Sequence, residues 1–130
     1  MYYQGTGKAA HGFRISVVMD DRFLLGFAVG NYRSVAKIEK AAIEAANERL
    51  AQYGLAPIES CEKSRIISAF FAGMNREFLD WHEYRTAEEL DALVAEYMDI
   101  YNNDRPHSSL GYKTPSEVWR DAHGLGLRLV

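Results

Sequence analysis

Cysteine is almost missing from this chain. Cys61 stands alone in 130 residues, so no internal disulfide can form and a buried core has to hold the fold. No apolar run approaches the roughly 20 residues that a membrane helix needs, and the first residues lack the basic-then-apolar pattern of a secretory signal. A cytoplasmic location without membrane contact is the expectation. An excess of positive charge is lacking too. Fifteen Lys and Arg against 18 Asp and Glu give a formal net charge of −3, and the basic residues are spread along the chain. A domain whose main task is gripping nucleic acid is usually basic overall or carries an evident basic stripe, so protein partners are favoured over DNA. What is present, 48% hydrophobic and 25% charged residues, fits one soluble domain over 1–130.

Read in order, 1–11 is an irregular N-terminal segment, small and polar apart from Tyr2 and Tyr3. Its Gly5-Thr6-Gly7-Lys8 lacks the first glycine, the following Ser or Thr and the preceding strand of a phosphate-binding loop. From Gly12 to Gly30 two apolar runs around Asp20-Asp21-Arg22 read as a β-hairpin, covered in part on both faces. Asp20 and Asp21 are adjacent, so on a strand they point to opposite faces, and in a turn they are ordinarily solvated. Helical periodicity then predicts a helix over 34–53 with a small apolar face suited to close approach to a sheet, and Gly54 as its stop. A second helix over 64–79 carries the stripe Ile67, Phe70, Phe71, Met74 and Phe78. A third over 86–102 is capped by Thr86 with Glu89 three residues on, and the weakly structured tail 123–130 follows a last short helix over 115–122.

The least ordinary stretch is 101–115, Tyr101-Asn102-Asn103-Asp104-Arg105-Pro106-His107-Ser108-Ser109-Leu110-Gly111-Tyr112-Lys113-Thr114-Pro115. As local structure it is a connector. Pro106 biases Arg105 away from helical angles, Ser108, Ser109 and Gly111 supply turn chemistry, and Thr114, Pro115 and Glu117 form a capped helix start. That leaves Arg105 and His107 on either side of a rigid proline, a pairing suited to a phosphate or to an acidic side chain.

The same stretch closely resembles the C-terminal motif of insertion-sequence transposases with a retroviral-integrase-type core. In these a helix ending in Tyr-Asn runs into Arg-Pro-His-Ser-Ser-Leu-Gly-Tyr, two more residues and Pro. The resemblance covers about Gly12 to Trp119, most closely after Phe70, and implies an α+β fold. The expected form is an abbreviated ribonuclease H-like core, with a two- or three-stranded antiparallel sheet packed by three long helices and one short C-terminal helix. It also implies three carboxylates, two Asp and one Glu, holding two divalent ions that act on phosphodiester bonds.

None of the three is found. The opening segment has no acid, the residues from Leu50 to Pro57 pass directly to Ser64 without room for the strand of the second Asp, and the Glu before the Phe-Phe pair aligns with Ser68. Glu59, Glu62 and Glu77 have no spacing that would replace them. His11, His82, His107 and His123 sit in separate contexts, and Cys61 reads as an inert small side chain. The expectation is a catalytically inactive, truncated transposase-derived protein, without metal, cofactor or small-molecule substrate, acting through a protein partner or as a homodimer. Its interface would use Phe70, Phe71, Met74 and Phe78, left bare by a cut-down sheet. Weak, sequence-indifferent DNA binding through Arg105, His107 and Lys113 is the alternative, and an active transposase the second.

Overall fold

A computed structural model describes residues 1–125. The described residues form strands β1 (Tyr2–Lys8), β2 (Phe13–Asp20) and β3 (Phe23–Asn31), then helices α1 (Val35–Gln52), α2 (Arg65–Glu77), α3 (Ala87–Asp99) and α4 (Pro115–Ala122). The sheet is antiparallel throughout in the order β1-β2-β3, the α+β arrangement expected. Among the described residues no helix is long and apolar enough to cross a membrane.

The hairpin follows from its turn. Asp20 pairs with Phe23, and Asp21 takes a left-handed φ of 51°, which aspartate tolerates better than most side chains. From Ile15 to Asp20 every residue of β2 is buried, because both faces of the sheet are covered. On one face Ile15, Val17, Met19 and Leu24 meet α2 and α3; on the other Val18, Phe23 and Leu25 meet α1 and Trp119 of α4. A bulge lets β3 serve both faces. Val18 pairs with Gly26 but Met19 with Leu24, leaving Leu25 as the extra residue. Leu25 and Gly26 therefore face α1 in succession, and Phe27 and Val29 return to the face of Leu24.

Small residues set the helix distances. A Cβ on Gly26 would stand 2.6 Å from the Ala46 nitrogen and 3.1 Å from the Ala42 oxygen, so only glycine admits α1 this close, as its alanine-rich face predicts. On β1 the same logic places α2. A Cβ on Gly5 would overlap Ile67, and one on Gly7 would lie 2.9 Å from the Phe71 ring. The glycines of Gly5-Thr6-Gly7-Lys8 thus make room for a helix.

Two expectations are corrected. Residues 1–11 are not irregular: Tyr2–Lys8 is a seven-residue strand in continuous register with β2, its signal diluted by two glycines and polar side chains. Nor is the α2 stripe bare. Ile67, Phe70, Phe71 and Met74 are buried beneath β1, β2 and α3, and half-buried Phe78 packs on Tyr97 and His82 at ring-centroid distances of 5.4 and 4.4 Å. The interface role for Phe70, Phe71, Met74 and Phe78 falls, because one chain supplies their cover. Of the tail 123–130, Leu125 still donates its N–H to Arg120 O at 2.8 Å and packs on the α1/α4 core; Gly126 to Val130 lie outside the described residues.

Candidate functional site

The site is built by the way α3 ends. Its last helical turn widens into a π-type turn over Ile100–Asp104, a distortion that re-aims side chains. Asn102, 1% exposed, points at the bulged edge of β3. Its Nδ2 donates to Leu24 O and its Oδ1 accepts from Leu24 N–H, both at 2.9 Å. A side-chain amide has the donor and acceptor of a peptide group, so Asn102 stands in for the next strand and satisfies backbone groups that would otherwise be buried unpaired. Tyr101 beside it fills the core against Phe70, edge to face at 5.0 Å, and against His107 at 5.2 Å. Burial pushes its hydroxyl up to about 12, so it stays protonated.

Pro106 then turns the chain back. His107 N–H donates to Lys113 O at 3.1 Å and Tyr112 N–H to His107 O at 2.8 Å, across a turn in which Gly111 and Tyr112 both have positive φ. Thr114 starts α4 with the expected reciprocal cap. Its Oγ1 accepts from Glu117 N–H at 3.2 Å, while Glu117 Oε1 accepts from Thr114 N–H at 3.0 Å.

Of the three contact residues read from the sequence, this arrangement brings two together. Arg105 forms an ion pair with Glu77 of α2, the internal pairing that its place at the helix exit suggests, and reaches the Tyr97 hydroxyl at 3.5 Å. His107 lies beside it. Lys113 turns elsewhere, with its Nζ 3.6 Å from Asp121 of α4.

Arg105 and His107 line a cavity of about 180 Å³ whose other charged walls are Arg22 from the hairpin turn and Arg76 and Glu77 from α2. Arg22 and Arg76 were not legible as site residues. Arg76 does sit about one turn beyond Gly73 of the same helix, but nothing in the local sequence ties the hairpin turn to a residue 83 or more positions later. His107 Nε2 is buried without a hydrogen-bond partner among the described residues. Its pKa is held below the usual histidine value by burial first and then by Arg22 and Arg105.

The positions that the resemblance assigns to catalytic carboxylates meet elsewhere, where β1, the loop before α2 and α2 itself converge. A single parallel bridge joins Tyr3 and Glu62 there: Glu62 N–H donates to Tyr2 O at 2.8 Å and Gln4 N–H to Glu62 O at 3.1 Å. The recess beside it is lined by Thr6, Glu39, Lys63 and Ser68 among others, and Thr6 Oγ1 donates to Glu39 Oε2 at 2.7 Å. Asp20 is occupied on the far side of the sheet, where its Oδ2 accepts from Trp119 Nε1 at 3.0 Å and lies 3.2 Å from His123 Nε2; Asp21 is exposed. Cys61 is half-buried, and burial pushes its thiol up, away from nucleophilic character. Among the described residues no group of three or more His, Cys, Asp or Glu is arranged to hold a metal ion.

Neither the curated proteins nor the solved structures gave a match to this chain. Residues 59–115, from the loop that pairs with β1 to the start of α4, match the family model of the integrase core domain; the match is partial and consistent with a transposase/integrase-type core, whose ribonuclease H-like fold the α+β arrangement fits.

Proposed function

We propose that the chain is a transposase/integrase-derived protein that has lost strand-cleavage chemistry and acts by binding a protein partner. The recess between β1 and α2 carries this reading. Two-metal catalysis on phosphodiesters needs several carboxylates around ions about 4 Å apart, and the recess offers Glu39, already bonded to Thr6, alongside Lys63, whose charge opposes a cation. Exposed Ser68 occupies the position of the helix glutamate. The partner reading is supported by the sheet edge. Glu62 covers β1 at Tyr2 and Gln4, while Thr6 and Lys8, facing the same way along the strand, have no neighbouring strand among the described residues. An extended segment from another protein, a second copy of this chain included, can continue the ladder there.

The purified protein is expected neither to cut nor to join DNA ends in Mg²⁺ or Mn²⁺, and calorimetric titration with Mn²⁺ should show only weak, unsaturated heats. A saturable Mn²⁺ site abolished by Glu39→Gln, together with metal-dependent strand cleavage, overturns the reading.

A further inference from the structure

We infer that the cavity between the hairpin turn, α2 and the π-type turn at the end of α3 is a binding site for a single phosphate group, with Arg22, Arg76, Arg105 and His107 as its ligands. The inference rests on the reading of the chain as a binding protein and names a ligand class for a place distinct from the β1 edge. Three arginines and a histidine line this cavity of about 180 Å³ with one carboxylate, Glu77. Glu77 is paired with Arg105; Arg22 and Arg76 have no carboxylate within ion-pair distance among the described residues. The walls therefore hold an excess of positive charge in a partly desolvated place, where like charges gathered around empty space repel one another and an anion relieves the repulsion.

The orphaned His107 Nε2 selects the kind of anion. A buried ring nitrogen without a partner costs free energy, and a ligand beside it would lie among arginines from three elements, the hairpin turn, α2 and the exit of α3. A tetrahedral oxyanion offers acceptors in several directions and accepts bidentate Arg contacts, which suits walls drawn from several elements better than the two coplanar oxygens of a carboxylate. Tyr101 adds a hydroxyl that stays a donor. A free phosphate and a phosphate on a nucleic-acid strand share this chemistry. In either form the site reads charge and shape without reading sequence.

The charged and titratable groups facing His107 are Arg22 from the turn, Arg76 and Glu77 from α2, Tyr97 and Tyr101 from α3 and its exit, and Arg105. Burial first, and then Arg22 and Arg105, hold the imidazole pKa below its usual value; a bound dianion opposes that field and favours the protonated ring. Binding should raise the His107 pKa, which the ring reports directly and which the phosphate's own ionisation in the same pH range does not mask.

The test is calorimetric titration of the intact protein with inorganic phosphate at fixed ionic strength, beside NMR titration of the His107 ring with and without phosphate. The expected result is saturable binding that chloride does not reproduce. Arg22→Ala or His107→Gln should weaken it about tenfold, the loss of one charge-assisted contact, while Lys37→Ala on the exposed side of α1 leaves it unchanged. Circular dichroism establishes that the variants are folded. Binding that survives Arg22→Ala and His107→Gln in folded protein, or phosphate heats equal to those of chloride, overturns the site. A short single-stranded DNA that displaces phosphate assigns the source to nucleic acid, and failure to displace it assigns free phosphate; both outcomes presuppose the site. Strand-cleavage activity would sink the proposed function and leave this result standing.

Discussion

Asn102 shows how much a single amide can hold together. It joins residues 78 positions apart in the chain through two hydrogen bonds, both buried, at the bulge where β3 changes which face it presents. Asn102→Ala removes both partners and leaves the Leu24 N–H and C=O in an apolar surround, each at a cost of about 1–3 kcal/mol. Unfolding in urea should show a loss of about 2–5 kcal/mol. A loss below about 1 kcal/mol would mean that water replaces the amide and that the π-type turn has some other purpose. Arg105 contrasts with it: its pair with Glu77 is half exposed, and such pairs contribute at most about 1 kcal/mol. The most family-like stretch of the chain therefore mixes one residue with a large share in stability and two, Arg105 and Lys113, whose exposed ion pairs add little to it.

Among the elements, the contact of α1 with β3 depends most on one position. Gly26→Ala would drive a methyl group into the backbone of α1 at Ala42 and Ala46, where no flexible side chain can move aside, and overpacking of this kind costs about 1–3 kcal/mol. Thermal unfolding should record a lowered Tm with the secondary structure kept; an unchanged Tm would show that α1 can slide. The helices themselves were legible in the sequence to within about two residues at most ends, because Ser64, Thr86 and Thr114 are caps and Gly54 has the positive φ of a helix stop. β1 was not. A strand with glycine at two of seven positions carries little apolar alternation, and the reason for those glycines, α2 lying on them, is a fact of tertiary packing. The burial of the α2 stripe was illegible for the same reason: periodicity shows which side chains share a face but not what covers it. The cavity was half legible, with Arg105 and His107 inside the signature and Arg22 and Arg76 outside it.

For the molecule as a whole, both sheet faces are closed, and among the described residues two stretches of edge have no neighbouring strand, β3 beyond Leu24 and β1 at Thr6 and Lys8. A second copy pairing there across a twofold axis would extend the sheet through backbone hydrogen bonds, with little apolar burial. Sedimentation equilibrium should therefore show a weak, concentration-dependent dimer. Thr6→Pro should dissolve it, since proline on an edge strand removes the outward donor without disturbing the inner ladder. A dimer that withstands Thr6→Pro uses another surface, and a monomer at every concentration leaves the edge to a foreign strand. The clasp of Asn102 on Leu24 also sets an order of events in folding. The hairpin closes through local contacts, yet Asn102, which bonds its outer edge at Leu24, and Trp119, which bonds Asp20, lie 78 and 99 residues along the chain from their partners. Until Asn102 docks, the Leu24 N–H and C=O stand on an open edge. A folding chain therefore passes through an aggregation-prone interval that ends only when the exit of α3 docks on the hairpin.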